Sequence, residues 1–237
     1  MIAPTPEPLP AYRLAFAWAF DGGFQSLHLL DLGGGRRTRL THPSQGFDDH
    51  PAWSPDASRL AFTRCGPLVE TLVVAADGSG ERSLANHPAT NPTWSPDGGR
   101  IAFVRQADTA TPTICVVDAD GTNVHEIAEG TLPSWGPDGR IAFLRETDAG
   151  WSLHVMGGDG SDLRRLTHAS EGGGPPAWSP DGTRIALTRG PQADDGVFVV
   201  AADGSTEEPL PGSRYFDLSP TWSPDGERIA FIRLGWL

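Results

Sequence analysis

The sequence predicts an all-β fold, a β-propeller of four-stranded antiparallel blades. A tryptophan-centred segment, PTWSPDGGRIAFVR at 92–105, recurs in altered form at 51–64, 133–145, 176–189 and 220–233. Its tryptophans, Trp53, Trp94, Trp135, Trp178 and Trp222, are spaced by 41, 41, 43 and 44 residues, the period of a four-stranded blade. Each repeat divides into short apolar runs separated by Ser-Pro-Asp-Gly and Asp-Gly turns.

In chain order, residues 1–10 carry prolines at 4, 6, 8 and 10 and read as an extended lead-in, with 11–237 as a single propeller domain. AYRLAFAWAF at 11–20 aligns with the second strand of the next repeat, Arg13 on Arg59 and Phe16 on Phe62. No WSPDG precedes it, so the first repeat starts one strand late and continues through LHLLDL at 27–32 and TRLT at 38–41. Every later repeat offers a Pro-x-Trp-Ser strand, then RIAFxR, then an apolar run such as TLVVAAD at 71–77 or GVFVVAAD at 196–203, then an RRLT-type strand. The second and third strands are apolar on both faces, as in sheets sandwiched between neighbours.

The turns have a physical basis. In Ser-Pro-Asp-Gly the proline presets φ, the aspartate bonds local backbone and the glycine takes positive φ. Asp56, Asp97, Asp138, Asp181 and Asp225 are therefore structural, and the five tryptophans are expected to pack between adjacent blades. The first repeat supplies three strands, the next four supply four each and the last supplies two, 21 in all. Six copies of the second strand favour six blades. Five blades would need 20 strands and leave one second strand over, and an incomplete ring would expose edges open to pairing with another chain.

The net charge of −12 argues against a nucleic-acid groove, which concentrates positive charge, and against membrane insertion at anionic surfaces. Much of the acidity is architectural, because nine aspartates sit in the recurring turns. All 18 basic residues are arginine, which favours planar multi-donor pairing. The flanking arginines of the second strand, such as Arg100 and Arg105, are expected to bridge to turn aspartates of neighbouring blades. Cys65 and Cys115 occupy non-equivalent places in the repeat, so no disulfide framework is expected. The N-terminus has neither a basic region nor an apolar one, which excludes a signal peptide or membrane span in this stretch. The expected location is cytoplasmic, or periplasmic if a leader is removed.

The P-x-WSPDG-x-R-I-A-F motif, with its following strand and DG turn over residues 11 to 233, resembles the TolB-like, WD-related β-propeller repeat. The resemblance implies a six- or seven-bladed propeller of the kind found in bacterial periplasmic TolB, in the propeller domain of prolyl-oligopeptidase-type serine peptidases and in oligogalacturonate lyases. The peptidases add a G-x-S-x-G elbow, absent here. TolB proteins carry an extra N-terminal α/β domain, for which this sequence has no room. The second strand ends in arginine where members often carry serine or another small polar residue.

Alternating strands place the repeated turns on one face and the variable loops on the other, where binding groups are expected. Just before each Pro-x-Trp lie Asp48, Asp49 and His50; Thr90 and Asn91; Gly173 and Gly174; Asp217 and Ser219. Asp49, His50, Asn91 and Asp217 are the candidate binding set at the channel mouth, for a polar ligand or a cation; the competing reading is that they cap strand ends. No copy repeats a ligand type, so no metal site and no cofactor are expected, a divalent cation in the channel being the exception that Asp49 and His50 would permit. His42 and His168 share a position after RLT, too thin a pattern for a metal ring. With no nucleophile and base in register, the expected function is a non-catalytic scaffold presenting its variable face to a protein or peptide. The alternatives are a channel-sited enzyme of the oligogalacturonate-lyase type and the regulatory propeller of a serine peptidase. A homodimer through incomplete blade edges is the further partner expected.

Overall fold

A computed structural model describes residues 13–19, 24–84, 88–105, 111–148, 150–168, 174–190, 196–214 and 217–233. The lead-in at 1–10 and Gly173 lie outside the described residues. Within them the chain is all-β, with 21 strands in antiparallel sheets arranged in sequence order around an axis. Among the described residues no helix is long and apolar enough to cross a membrane.

Four sheets are complete blades: β4(Phe47–Trp53) to β7(Arg82–Ser83), β8(Ala89–Trp94) to β11(His125–Glu129), β12(Thr131–Trp135) to β15(Arg164–Arg165), and β16(Ala177–Trp178) to β19(Glu207–Pro209). The first sheet has three strands, β1(Arg13–Trp18), β2(Ser26–Asp31) and β3(Arg37–Arg39); the last has two, β20(Asp217–Trp222) and β21(Ile229–Arg233). Counted by strands this is a five-bladed propeller with one strand over, rather than the six complete blades that six copies of the second strand favour. The two partial sheets are not hydrogen-bonded to each other among the described residues.

The second strands are β5(Arg59–Cys65), β9(Arg100–Arg105), β13(Arg140–Thr147) and β17(Arg184–Arg189), and each pairs in unbroken register with the third, β6(Val69–Ala75), β10(Thr113–Asp118), β14(Gly150–Gly157) or β18(Gly196–Ala201). These strands occupy the middle of each sheet, which is why both their faces are apolar.

The cores lie between blades. Ala15, Ala17, Leu27 and Leu29 of the first sheet meet Leu60, Phe62, Leu72 and Val74 of the second. Ala61 and Val73 meet Ile101, Phe103, Cys115 and Val117. Ala102, Ile114 and Val116 meet Ile141, Phe143 and Met156. Ala142, Leu144 and Val155 meet Ile185, Leu187 and Val200. Each seam therefore joins the alanine side of one second strand to the opposite side of the next, which carries isoleucine or leucine followed by phenylalanine or, in β17, Leu187.

Tryptophan and arginine fasten the seams on top of this burial. The guanidinium carbons of Arg59, Arg100, Arg140 and Arg184 lie 4.6, 5.2, 5.0 and 4.4 Å from the ring centroids of Trp94, Trp135, Trp178 and Trp222 in the following blade. The indole N–H groups of Trp94, Trp178 and Trp222 donate to the carbonyls of Ala52, Ser134 and Ala177 in the preceding blade, at 3.0 to 3.1 Å. Arg100, Arg140 and Arg184 also donate across to the carbonyls of Gly158, Ala202 and Gly226. The leading arginines thus bridge blades through rings and carbonyls, not through the turn aspartates expected from sequence. A ring face and a carbonyl accept a cation without the long, entropically costly reach to an exposed carboxylate.

The turn aspartates instead close their own hairpins. Ser54 donates its hydroxyl to Asp56 at 2.6 Å and accepts the Arg59 N–H at 2.9 Å. Ser95 with Asp97 and Ser179 with Asp181 repeat the arrangement. These hydroxyl donors, helped by the neighbouring Ser58 and Thr183, hold the Asp56 and Asp181 carboxyls down to about 2.

Candidate functional site

Strands β4, β8, β12, β16 and β20 each form one edge of their sheet, and successive members touch, so these inner strands surround the axis. Their sequence is the Pro-x-Trp segment. The residue before its proline adopts left-handed backbone in four blades: His50 (φ 51°), Asn91 (φ 54°), Leu132 (φ 52°) and Ser219 (φ 52°). The ladder slips in register at the same place each time. This bulge turns the inner strand. In the remaining copy the position is Pro175, whose ring fixes φ near about −65°; no bulge forms and β16 shrinks to two residues.

The inner strands of four successive blades line an open cavity of about 530 Å³. It is lined by the prolines of the segment (Pro92, Pro133, Pro176, Pro220), by those of the following turn (Pro96, Pro137, Pro180), by the indoles of Trp94, Trp135 and Trp178, and by the small residues Thr93, Ser134, Ala177 and Thr221. Among the described residues, no charged side chain and no histidine or cysteine lines it. Its volume lies in the range of roughly 300–1,000 Å³ usual for ligand sites.

The residues before the prolines fall into separate roles. Asp217 is completely buried and paired with Arg233 through both carboxylate oxygens at 2.7 Å; that pairing holds its carboxyl below the usual range. Its equivalent is Asp48, likewise completely buried and doubly bonded to Arg64 at 2.7 and 2.9 Å. Both aspartates tie the inner strand to the end of the second strand. Asp49 accepts the His50 N–H at 2.8 Å, and the His50 ring stands 3.8 Å from the same carboxylate, both side chains being partly exposed. Asn91 donates its backbone N–H to Thr63 Oγ1 of the preceding blade at 3.1 Å. The structure therefore sets Asp49 beside His50 and commits Asp217 elsewhere. No three His, Cys, Asp or Glu side chains gather to hold a metal ion among the described residues.

Of the channel lining, the sequence singles out only the tryptophans, as residues packing between blades rather than as a ligand-stacking ring. The signal for the rest was available in the x of Pro-x-Trp, which is Ala52, Thr93, Ser134, Ala177 and Thr221, small in every copy. Of the other second-strand termini, Arg105 pairs with Glu126 and Arg189 with Glu207 within their blades, whereas Arg145 reaches Glu129 of the preceding blade.

Two histidines are buried away from the axis. His28 lies stacked on Phe16, and His154 tilts against Phe143 at a centroid distance of 5.5 Å. Ser26 and Ser152 bond to their Nε2 atoms. Burial pushes the His154 imidazole down to about 4, with Arg145 and Arg165 adding to the effect, and lowers His28 for the same first reason.

The family model of the TolB beta propeller domain matches residues 1–172 and 113–233. No curated protein sequence matches the chain. Among solved structures, TolB from Acinetobacter baumannii superposes with a TM-score of 0.71 at 17% identity, over 85% of this chain and 52% of that one, so the chain spans about half its length. A TolB-type protein from Agrobacterium tumefaciens superposes at 0.73 with 21% identity, over 95% and 92%. An oligogalacturonate lyase from Vibrio parahaemolyticus superposes at 0.65 with 18% identity, over 92% and 66%. At these identities the likeness is one of fold. The chain belongs to the TolB beta propeller domain family.

Proposed function

We propose that the chain is a non-catalytic binding module whose axial channel receives, at the end framed by the repeated turns, an extended, uncharged segment of a protein or peptide. The uncharged lining carries this reading. Proline and tryptophan rings offer flat apolar faces, and Thr93, Ser134 and Thr221 offer hydroxyls to a bound backbone, the combination by which aromatic-lined grooves hold extended peptides. A channel-sited enzyme acting on an acidic sugar would need basic or metal-ligating side chains facing the substrate carboxylates. Among the described residues the lining supplies neither.

Selection of displayed peptides on the immobilised chain, followed by tryptophan fluorescence titration, tests the proposal. Binders should be poor in Asp and Glu, and Thr93→Arg and Ser134→Arg should each weaken them at least tenfold while the melting temperature holds. Peptides that bind both variants as tightly as the parent would refute the channel as the site, and cleavage of a glycan by the purified chain would refute the non-catalytic reading.

A further inference from the structure

Every seam inside the chain joins the same two halves, and one unused copy of each half remains exposed. The alanine half comprises the leading arginine, the alanine two residues on and the residue two beyond that. Ala61, Ala102, Ala142 and Ala186 are 0% exposed, and the residues two beyond them, Thr63, Val104, Leu144 and Thr188, are at most 4% exposed. In the last sheet these positions are Arg228 and Ala230, both exposed, and Ile232, which is 57% exposed. The receiving half is the opposite face of the second strand, where Leu60, Ile101, Ile141 and Ile185 are fully buried. In the first sheet the same position is Leu14, 50% exposed, flanked by Phe24, Trp18 and Leu32, all about half exposed.

We propose that these two faces dock a second copy of this chain, the β20–β21 face of one copy packing on the β1–β3 face of the other, and reciprocally, to give a closed dimer with two equal seams. Continuity with the interface already used inside the chain identifies the occupant. Arg228 stacks on no tryptophan among the described residues, whereas Arg59, Arg100, Arg140 and Arg184 each stack on the tryptophan of the blade they dock against. Leu14 and Phe16 stand where Leu60 and Phe62 receive Ala15 and Ala17, so they would receive Ala230 and Ile232. Each copy carries one of each half, and reciprocal docking leaves none free.

The test is solution mass by light scattering on the full chain, with Leu14→Arg and Ile232→Arg. The parent should have twice the mass of a single chain at micromolar concentration, and each variant alone should be a monomer. A one-to-one mixture of the two variants should pair again, because one seam then has both halves intact. A monomeric parent at every concentration, a mass that climbs past the dimer, or variants that stay apart when mixed would overturn the proposal. Leu14→Gln and Ile232→Gln, milder changes at exposed positions, together with thermal melts, separate loss of pairing from loss of folding.

Discussion

Arg59 of one blade lies over the indole of Trp94 in the next, 4.6 Å from its centroid, while the same indole donates to Ala52 behind it. One ring thereby fastens three points of a seam. Replacing Arg59 by Gln should lower stability by about 1 kcal/mol, the magnitude of a partly desolvated cation–π contact. A double-mutant cycle with Trp94→Phe in urea should recover most of that loss as coupling; additive effects would show that the arginine acts elsewhere.

Asp48 and Asp217 are both fully buried, but Arg64 is 18% exposed and Arg233 45%. Arg64 also pairs with Glu81, so it is stranded only when both acids are removed. Asp48→Ala combined with Glu81→Gln should destabilise by roughly 3–5 kcal/mol, and Asp217→Ala by clearly less, as read from urea midpoints. Equal losses would contradict the difference in burial.

Two departures from the WSPDG consensus should respond oppositely when restored. Ala57 holds φ of 54° where Gly98, Gly182 and Gly226 hold 69 to 71°. Ala57→Gly should therefore stabilise by about 1 kcal/mol, raising the melting temperature by about 2–4 °C. At Gly136 an added Cβ would come within 2.8 Å of the Trp178 ring. Gly136→Ser should cost about 1–3 kcal/mol through displacement of that ring, and calorimetry of both variants decides the matter.

Acid should unfold the chain in two stages. His154 has its folded pKa lowered to about 4 from 6.5, so the unfolded chain takes up the proton first and stability falls as pH drops from about 6.5 toward 4. Asp56 and Asp181, lowered to about 2 from 3.8, hold their contribution above about 4 and lose it as pH falls through 2. Urea midpoints measured against pH should show both stages. His154→Gln should flatten the first and Ser54→Ala the second; a single transition unaffected by either would exclude this origin.

The sequence made the strand inventory legible because the second strand repeats at fixed spacing and announces its neighbours. Closure was harder to read, since a count of 21 strands fits neither five nor six blades and strand motifs carry no information on which faces stay open. The site was less legible still. Asp49 and Asp217 look alike as acids before a proline, but aligning Asp217 with Asp48 reveals the shared arginine partner, and only the three-dimensional pairing shows both carboxylates buried against it. The channel lining is made of the loud repeat itself, whose prolines read as turn residues and whose tryptophans read as core. They are both, and their remaining surfaces meet at the axis.

No blade owns its interior, because each of the four core clusters is shared across a seam. An excised blade would therefore have nothing to fold around, and stability should accumulate through nearest-neighbour couplings along a one-dimensional array. Within a single copy, fraying would start at the terminal sheets, each held by this chain on one side, and run inward like a zipper, so amide exchange in the monomer should be slowest in β9, β10, β13 and β14.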